Sequence, residues 1–515
     1  MSRATYLQKI IYRVTYFIFI LTTVAGWFNI GADNVLMKFD KLNVEQEITG
    51  WGTSAAWWSQ IAGDSENAEE LARLLYSEEG LGLNIYRYNV GAGEKDQEHS
   101  VILDYAPHNY DWRASESFLV YNEETGEYEY DWTQDAAAQK MLDLCLNYGC
   151  IDTVVLFANS PHYSMTESGS ATGSFTANTC NLKEGYADDF AEYMCDIAEY
   201  FISKGVPVKY ISPINEPQWS WGGGWVNQEG CHYELDDIIE VGEAFAAEIK
   251  ERNLDVKLSL AESGCVSDDT MNYIDAIYEN EAIMEVLGTY AYHSYWTDDI
   301  AYKYAFGKYM DKHYGDIELE MSEWCELPNE HLIDDIDAGI LMAREISEDV
   351  MLTGVNSWTT WVAVNDGLEY ADSMIGANGD CSEFVIGKRY YAMAHFTKFV
   401  PVGSRAVGFD ISVADIKAEE AWWDDVVDGK EYDHYIIENN LNVSTFRTPE
   451  GKYVAVIVNN GAEKKFTYTM PGYTMAVYTT DATRNLELTA EKWAVGSVVV
   501  PEKSIVTVEF TPVLG

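Results

Sequence analysis

The chain has 515 residues and a formal net charge of −52, from 33 basic against 85 acidic side chains. Charge of that sign and size is repelled by nucleic-acid backbones and anionic membrane surfaces, which excludes both as partners and favours a neutral substrate. An apolar fraction of 47% and an aromatic fraction of 14% exclude a disordered chain, and the length has room for a large barrel of about 250 residues or more plus a smaller module.

At the N-terminus Arg3, Lys9 and Arg13 precede an apolar run from Val14 to Ile30, within which Thr23-Val24-Ala25 resembles a small-residue cleavage site. Residues 1–33 therefore read as a signal peptide or short anchor, which implies a secreted or surface-anchored protein and no other membrane partner. The alternative is that Met37 is the true start, with a cytoplasmic protein as the result. The eight cysteines contain no CxxC pair, so no zinc or redox motif is visible, and buried free thiols are expected rather than a disulfide framework. That expectation leans toward a reducing compartment and opposes the leader.

From Val35 to Ile48 the chain is expected to be extended, and it leads into a strand and glycine-rich turn over Gly50 to Trp58. Apolar periodicity then predicts strands and helices in alternation. Helices are expected over 65–75, 134–146, 187–201, 235–251, 302–309, 333–346 and 390–399. Strands are expected over 83–90, 153–157, 208–214, 256–260, 287–292, 317–321 and 355–361. Counted from Ile48 this makes eight strands with seven helices between and after them, read as eight strand-helix units, the pattern of an α/β chain folded as a (β/α)8 TIM barrel, whose active residues sit at the carboxyl ends of the strands. After Val400 short alternating segments such as 453–458, 474–478 and 504–510, with Asn459-Asn460-Gly461 as a turn, predict an all-β sandwich domain. The organisation is thus a leader over 1–33, an extended segment over 34–46, the barrel over 47–399 and the sandwich over 400–515, with no linker between the last two.

Two stretches carry chemistry. The fourth strand runs into Asn215-Glu216-Pro217, and the seventh into Ser322-Glu323-Trp324, so two separate strands each present one carboxylate to the same face. A solvated turn glutamate is the ordinary explanation for either alone. Together, with aromatic residues close by, they are what hydrolysis of a glycosidic bond requires: one protonates the leaving oxygen and the other attacks or activates water. Tyr163, Trp219 and Trp361 follow strand ends and offer flat apolar faces for stacking a sugar, or simply core packing.

The segments GWGTSAAWW from Gly50, YRYNVGAG from Tyr86, FANSPHYSMTESGSATG from Phe157, SPINEPQW from Ser212, NQEGCHY from Asn227, AYHSYW from Ala291, MSEWCE from Met321 and KRYYAMAHFTKFVPVGSR from Lys388, in this order, resemble glycoside hydrolase family 30. That family is a clan A group of retaining enzymes with a (β/α)8 barrel and an attached sandwich, and the spelling is closest to its endo-β-1,6-galactanase-like branch. The resemblance implies that Glu216 is the general acid/base and Glu323 the nucleophile. It further implies that residues 34–46 supply a strand to the sandwich, that Asn215 binds the sugar 2-hydroxyl, that Arg87, placed at the end of the second strand, lies beside the nucleophile and keeps it ionised, that the Tyr295 hydroxyl contacts the nucleophile and that His293 shapes the subsite. The implied substrate is an oligo- or polysaccharide, with no metal and no cofactor. Other activities of the family, on glucuronoxylan, β-1,6-glucan, glucosylceramide or terminal xylose and fucose, stay open, as does a non-catalytic carbohydrate-binding protein on a barrel scaffold.

Overall fold

The computed structural model describes residues 34–513 apart from 102, 104–111, 224, 225, 227, 298, 299, 413–416, 422–431 and 437–439. The expected leader and Asn227 lie outside the described residues. Eight parallel strands close a barrel in chain order: Gly50–Ser54, Ile85–Asn89, Thr153–Phe157, Val208–Ser212, Lys257–Ser263, Leu287–His293, Glu318–Glu323 and Ser357–Thr360. They are called the first to eighth barrel strands below. The first and eighth pair in register from Gly50↔Ser357 to Thr53↔Thr360, which closes the ring.

Each strand is followed by a helix, and the apolar spacing that builds these helices is legible in most of them. Leu71, Ala72 and Leu75 form the buried stripe of Ala68–Tyr76, for example. Sequence reasoning passed over one helix, Asp268–Glu279, between the fifth and sixth strands. Its signals are present in the chain: Ser267 and Thr270 form a capping box, Asp268 and Asp269 occupy the first turn, and Met271, Ile274 and Ile277 share the buried face. An unforeseen hairpin, Leu119–Asn122 with Glu127–Tyr130, extends from the loop after the second strand.

The second domain is a seven-stranded antiparallel assembly in which the N-terminal strand, Asn34–Glu47, pairs with Arg405–Ser412 and also runs parallel to Lys464–Thr480 over Asn34–Leu36. Val35 and Met37 thereby join the sandwich core with Ile457, Phe466, Val506 and Phe510. The two domains are packed together. Phe446, Val456 and Ile505 of the sandwich belong to the barrel's own hydrophobic core, and fully burying each such side chain contributes about 1.5–3 kcal/mol. His395, on the last barrel helix, is hydrogen-bonded through its two ring nitrogens to Thr507 at 2.7 Å and Thr480 at 2.8 Å. Burial of that ring lowers its pKa to about 3, so it stays neutral.

A charged cluster stands behind the sixth strand. Lys303 is fully buried and pairs with Glu345 and, at 2.9 Å, with Asp349, while Glu348 lies 3.9 Å away. Asp349 in turn accepts from the Trp358 indole at 2.9 Å, Ser294 Oγ at 2.7 Å and the Tyr292 hydroxyl at 3.3 Å. Without the lysine, buried carboxylates would face one another uncompensated. Lys303→Met is therefore expected to destabilise the fold by roughly 3–5 kcal/mol, read as a fall in the urea or thermal midpoint; a shift below about 1 kcal/mol would show that the cluster contributes little.

All eight cysteines are free thiols, as expected, but Cys150, Cys180 and Cys265 are half-buried rather than buried. No helix among the described residues is long and apolar enough to cross a membrane.

Candidate active site

The fourth strand's hydrogen-bonded ladder ends at Ser212, and the chain continues through buried Ile214 to Asn215 and Glu216. Glu216 adopts a left-handed backbone, φ 48°, which is rare for a glutamate and is held from several sides. Its N–H donates to Glu262 O at 2.9 Å, and its carbonyl accepts from Trp219 N at 3.1 Å and from the Trp221 indole at 3.0 Å. A Cβ on Gly264 would stand 2.9 Å from Glu216 Oε1, so the acid side chain can occupy its place only because position 264 has no side chain.

Glu323 is the last residue of the seventh strand and pairs with His293, the last residue of the sixth, after a shift in register that follows Met321. Both are buried. One carboxylate oxygen from each of Glu216 and Glu323 and a ring nitrogen of His293 all lie within 4.8 Å of one another. The expected pair of carboxylates, contributed by strands four and seven, is thus brought together across the barrel mouth.

Arg87 does not end its strand, as the sequence suggested, but occupies its middle. Side-chain alternation explains the placement: Tyr86 and Tyr88 take the opposite face, where they pack on Tyr76 and Phe201, while the longer Arg87 reaches across the barrel interior. Its guanidinium donates to Glu323 Oε2 at 2.9 Å and to Asn215 Oδ1 at 3.1 Å, lies 3.3 Å from Glu262 Oε2, and covers the Phe157 ring at 3.6 Å. The Tyr295 hydroxyl donates to the other oxygen of Glu323 at 3.1 Å. Arg87 was expected to keep Glu323 readily ionised. Burial, together with Glu216 and Glu262, instead raises the Glu323 carboxyl above its ordinary range, against the opposing pull of His293 and Arg87.

The aromatic candidates divide. Trp219 and Trp361 line a cleft of about 520 Å³ that opens over Glu216 and Glu323. Trp219 stands edge to face with Trp296 at 4.9 Å, and Trp361 does so with Trp57 at 5.1 Å. Tyr163 does not line that cleft. Its hydroxyl donates to Asp96 at 2.8 Å and its ring packs in a small separate cluster with Ala92 and Ala171, so it shapes a loop instead. Trp296, 54% exposed and next to Tyr295, was passed over.

The larger omission is Glu262. The fifth strand was expected to stop at Leu260, whereas it runs to Ser263 with an irregularity in pairing at Ala261/Ser263 and a left-handed Glu262, φ 56°. That local bulge turns the carboxylate into the barrel. Glu262 is fully buried, accepts from Ser212 Oγ at 2.7 Å, from the His293 Nε2 at 3.0 Å and from Ser322 Oγ, and faces Arg87. Burial alone would raise its pKa, but Arg87, His293 and Ser322 hold it at about 2. Burial would likewise lower that of His293, which Glu323, Glu216 and Glu262 push up to about 10. Only a strand-end glutamate after an apolar run, Ala261-Glu262-Ser263, could have signalled this residue in the chain.

A closed parallel barrel with two buried glutamates facing each other under an aromatic-lined cleft defines an O-glycosyl hydrolase. The sequence profile of O-glycosyl hydrolase family 30 matches residues 34–295, and that of the family's β-sandwich domain matches residues 430–508. The chain belongs to glycoside hydrolase family 30. It is similar to an endo-β-1,6-galactanase of Hypocrea rufa, 24% identical over 371 residues that cover 69% of this chain and 72% of that one. A shorter match, 27% identical over 228 residues, is to an exo-β-1,6-galactobiohydrolase of Bifidobacterium longum subsp. longum and covers 34% of this chain and 14% of that protein. Among solved structures, a conserved exported protein from Bacteroides fragilis shares the fold with a TM-score of 0.76 at 23% identity, over 92% of this chain and 99% of that one.

Proposed function

We propose that this enzyme is a retaining, endo-acting hydrolase of a neutral β-linked plant polysaccharide, with β-1,6-galactan side chains as its substrate. The observation that carries the retaining reading is the separation of the two carboxylates. Oxygens of Glu216 and Glu323 within 4.8 Å of each other suit a nucleophile and an acid/base about 5–5.5 Å apart, not the roughly 6.5–9.5 Å that an inverting pair keeps for an intervening water. Glu323 attacks the anomeric carbon while Glu216 protonates the leaving oxygen; Glu216 then takes a proton from the water that hydrolyses the glycosyl ester. Arg87 and Tyr295 grip one oxygen of Glu323 each, so the carboxylate is held against rotation. The neutral Tyr295 bond is the weaker of the two, which makes Oε1 the oxygen released for attack.

Endo action is supported by a cleft that is open at the surface and rimmed by half-exposed Trp219 and Trp296, and by the endo-acting relative. The β-1,6-galactan reading draws on both curated relatives. A uronate-bearing xylan is a second reading, favoured by Arg113, which lines the cleft over the Trp57 ring at 4.8 Å. Its charge is shared with Asp372, across the same cleft, and so is not reserved for a substrate carboxylate. The protein is proposed to be exported through the apolar N-terminal stretch.

The test is a panel of purified substrates: de-arabinosylated arabinogalactan, glucuronoxylan, β-1,6-glucan and aryl β-glycosides, with product sizes recorded over time. A ladder of β-1,6-galacto-oligosaccharides is expected from the first. Release of a single terminal sugar would overturn the endo reading, and a ladder from glucuronoxylan alone would transfer the substrate to the second reading.

A further inference from the structure

Two carboxylates suffice for double displacement, yet this site contains a third that neither attacks nor faces the cleft. Glu262 is fully buried and is engaged by four side chains from four different strands: Arg87 of the second, Ser212 of the fourth, His293 of the sixth and Ser322 of the seventh. Its left-handed backbone shows that the fold sustains local strain to turn this side chain inward.

The chemistry of the His293 ring gives that arrangement a purpose. One ring nitrogen lies 3.0 Å from Glu262 and the other 3.3 Å from Glu216 Oε1. A neutral imidazole has one donor and one acceptor, whereas the cation donates from both nitrogens. A Glu262 carboxylate held between the Arg87 guanidinium at 3.3 Å and the ring at 3.0 Å stabilises the cation. Then His293 must donate to Glu216 Oε1, and the transferable proton of Glu216 is left to Oε2. The groups facing the ring are Glu216, Glu262, Glu323 and, edge to face at 5.8 Å, Tyr295; Arg87 reaches the two carboxylates from the other side.

The charges balance through the reaction. With Glu216 protonated, Arg87 and His293 offset Glu262 and Glu323. Once Glu323 is esterified and Glu216 has given up its proton, the same two cations offset Glu262 and Glu216. No buried net charge develops at either stage.

We infer that Glu262 is a positioning residue for hydrolysis, holding His293 as a double donor that orients Glu216 and anchoring Arg87 beside Glu323. The inference rests on the double-displacement reading for its consequence in catalysis, but its central claim concerns the free protein.

The experiment is histidine-ring nitrogen NMR on the full-length protein, with His293 assigned by comparison with His293→Gln, followed by kinetics. In the wild type the His293 ring is expected to be doubly protonated at pH 8; a neutral ring there overturns the proposal and requires no variant to fold. In Glu262→Gln the titration midpoint is expected to fall by roughly 1 to 3 pH units, and an unchanged midpoint overturns it. The same variant should lose roughly 100-fold in kcat with little change in KM, Glu262→Asp should recover part of that loss, and Glu262→Gln should add little to His293→Gln. Full additivity of the two would mean that Glu262 does not act through the ring. Failure of azide to rescue Glu323 variants would remove the double-displacement reading while leaving the ring titration intact.

Discussion

Replacing Glu323 with glycine or alanine is expected to reduce turnover by a factor on the order of 10⁵ or more, because nothing else in the site can form the glycosyl ester. The Glu323 carboxylate sits between Arg87 at 2.9 Å and Tyr295 at 3.1 Å, in the space where the anomeric carbon must arrive. A truncated side chain leaves a void with those two donors still in place, and that void accepts a small anion. Azide or formate supplied to the variant should therefore restore turnover of an activated aryl glycoside. The azide adduct should have the anomeric configuration opposite to that of the substrate, since only one displacement has occurred. An adduct of retained configuration would reassign the nucleophile. The wild-type acid limb tests the same residue: burial raises the Glu323 carboxyl, and below that point the group is protonated and cannot attack. The limb should accordingly lie above the ordinary glutamate value of about 4.3, and a limb at or below it would show that Arg87 and His293 outweigh burial.

Glu216→Ala should produce the second largest effect, and one that depends on the leaving group. A positioned general acid contributes roughly 10²- to 10⁴-fold. That loss is expected for polysaccharide and for alkyl-like leaving groups, while a dinitrophenyl glycoside, which departs without a proton, should form the glycosyl-enzyme almost as fast as with wild type. Hydrolysis of the ester then lacks its base, so the intermediate should accumulate as a burst, and azide should release it with retained configuration. With Glu216→Gln and the activated substrate, formation of the glycosyl-enzyme should stay close to the wild-type rate, because that leaving group needs no proton. An equal loss on activated and on poor leaving groups would remove the acid/base role from Glu216.

The alternation of apolar segments was enough to predict the architecture, since helical and strand periods differ and eight strands alternating with helices suit a closed barrel. The two strand-end glutamates were visible for the same reason: a polar pair, Asn215-Glu216 or Ser322-Glu323, that follows a buried strand has one place to go, the mouth of the barrel. Even the N-terminal strand's partnership with the sandwich followed from the family's spelling. What remained hidden depends on departures from regular period. Asp268–Glu279 was passed over although its capping residues are all present, because the eight strands were counted without a helix between the fifth and the sixth.

Glu262 was illegible for a deeper reason. A regular strand through Ala261, Glu262 and Ser263 presents its side chains to alternate faces, and only the bulge and the left-handed φ of 56° turn this carboxylate toward Arg87 and His293. No residue type in the chain signals that bulge. Tyr163 is the converse case, a ring that follows a strand end and yet is drawn into a local cluster with Ala92 and Ala171 by its bond to Asp96. Sequence by itself thus determined the fold class and the two candidate carboxylates, through periodicity and local pattern, and the family, through the resemblance of its ordered motifs. Which side chains surround those carboxylates, and with what charge, was decided only when eight strands brought residues as far apart as Arg87 and Glu323 into contact at 2.9 Å, because electrostatic partnership depends on distance in space and not on position along the chain.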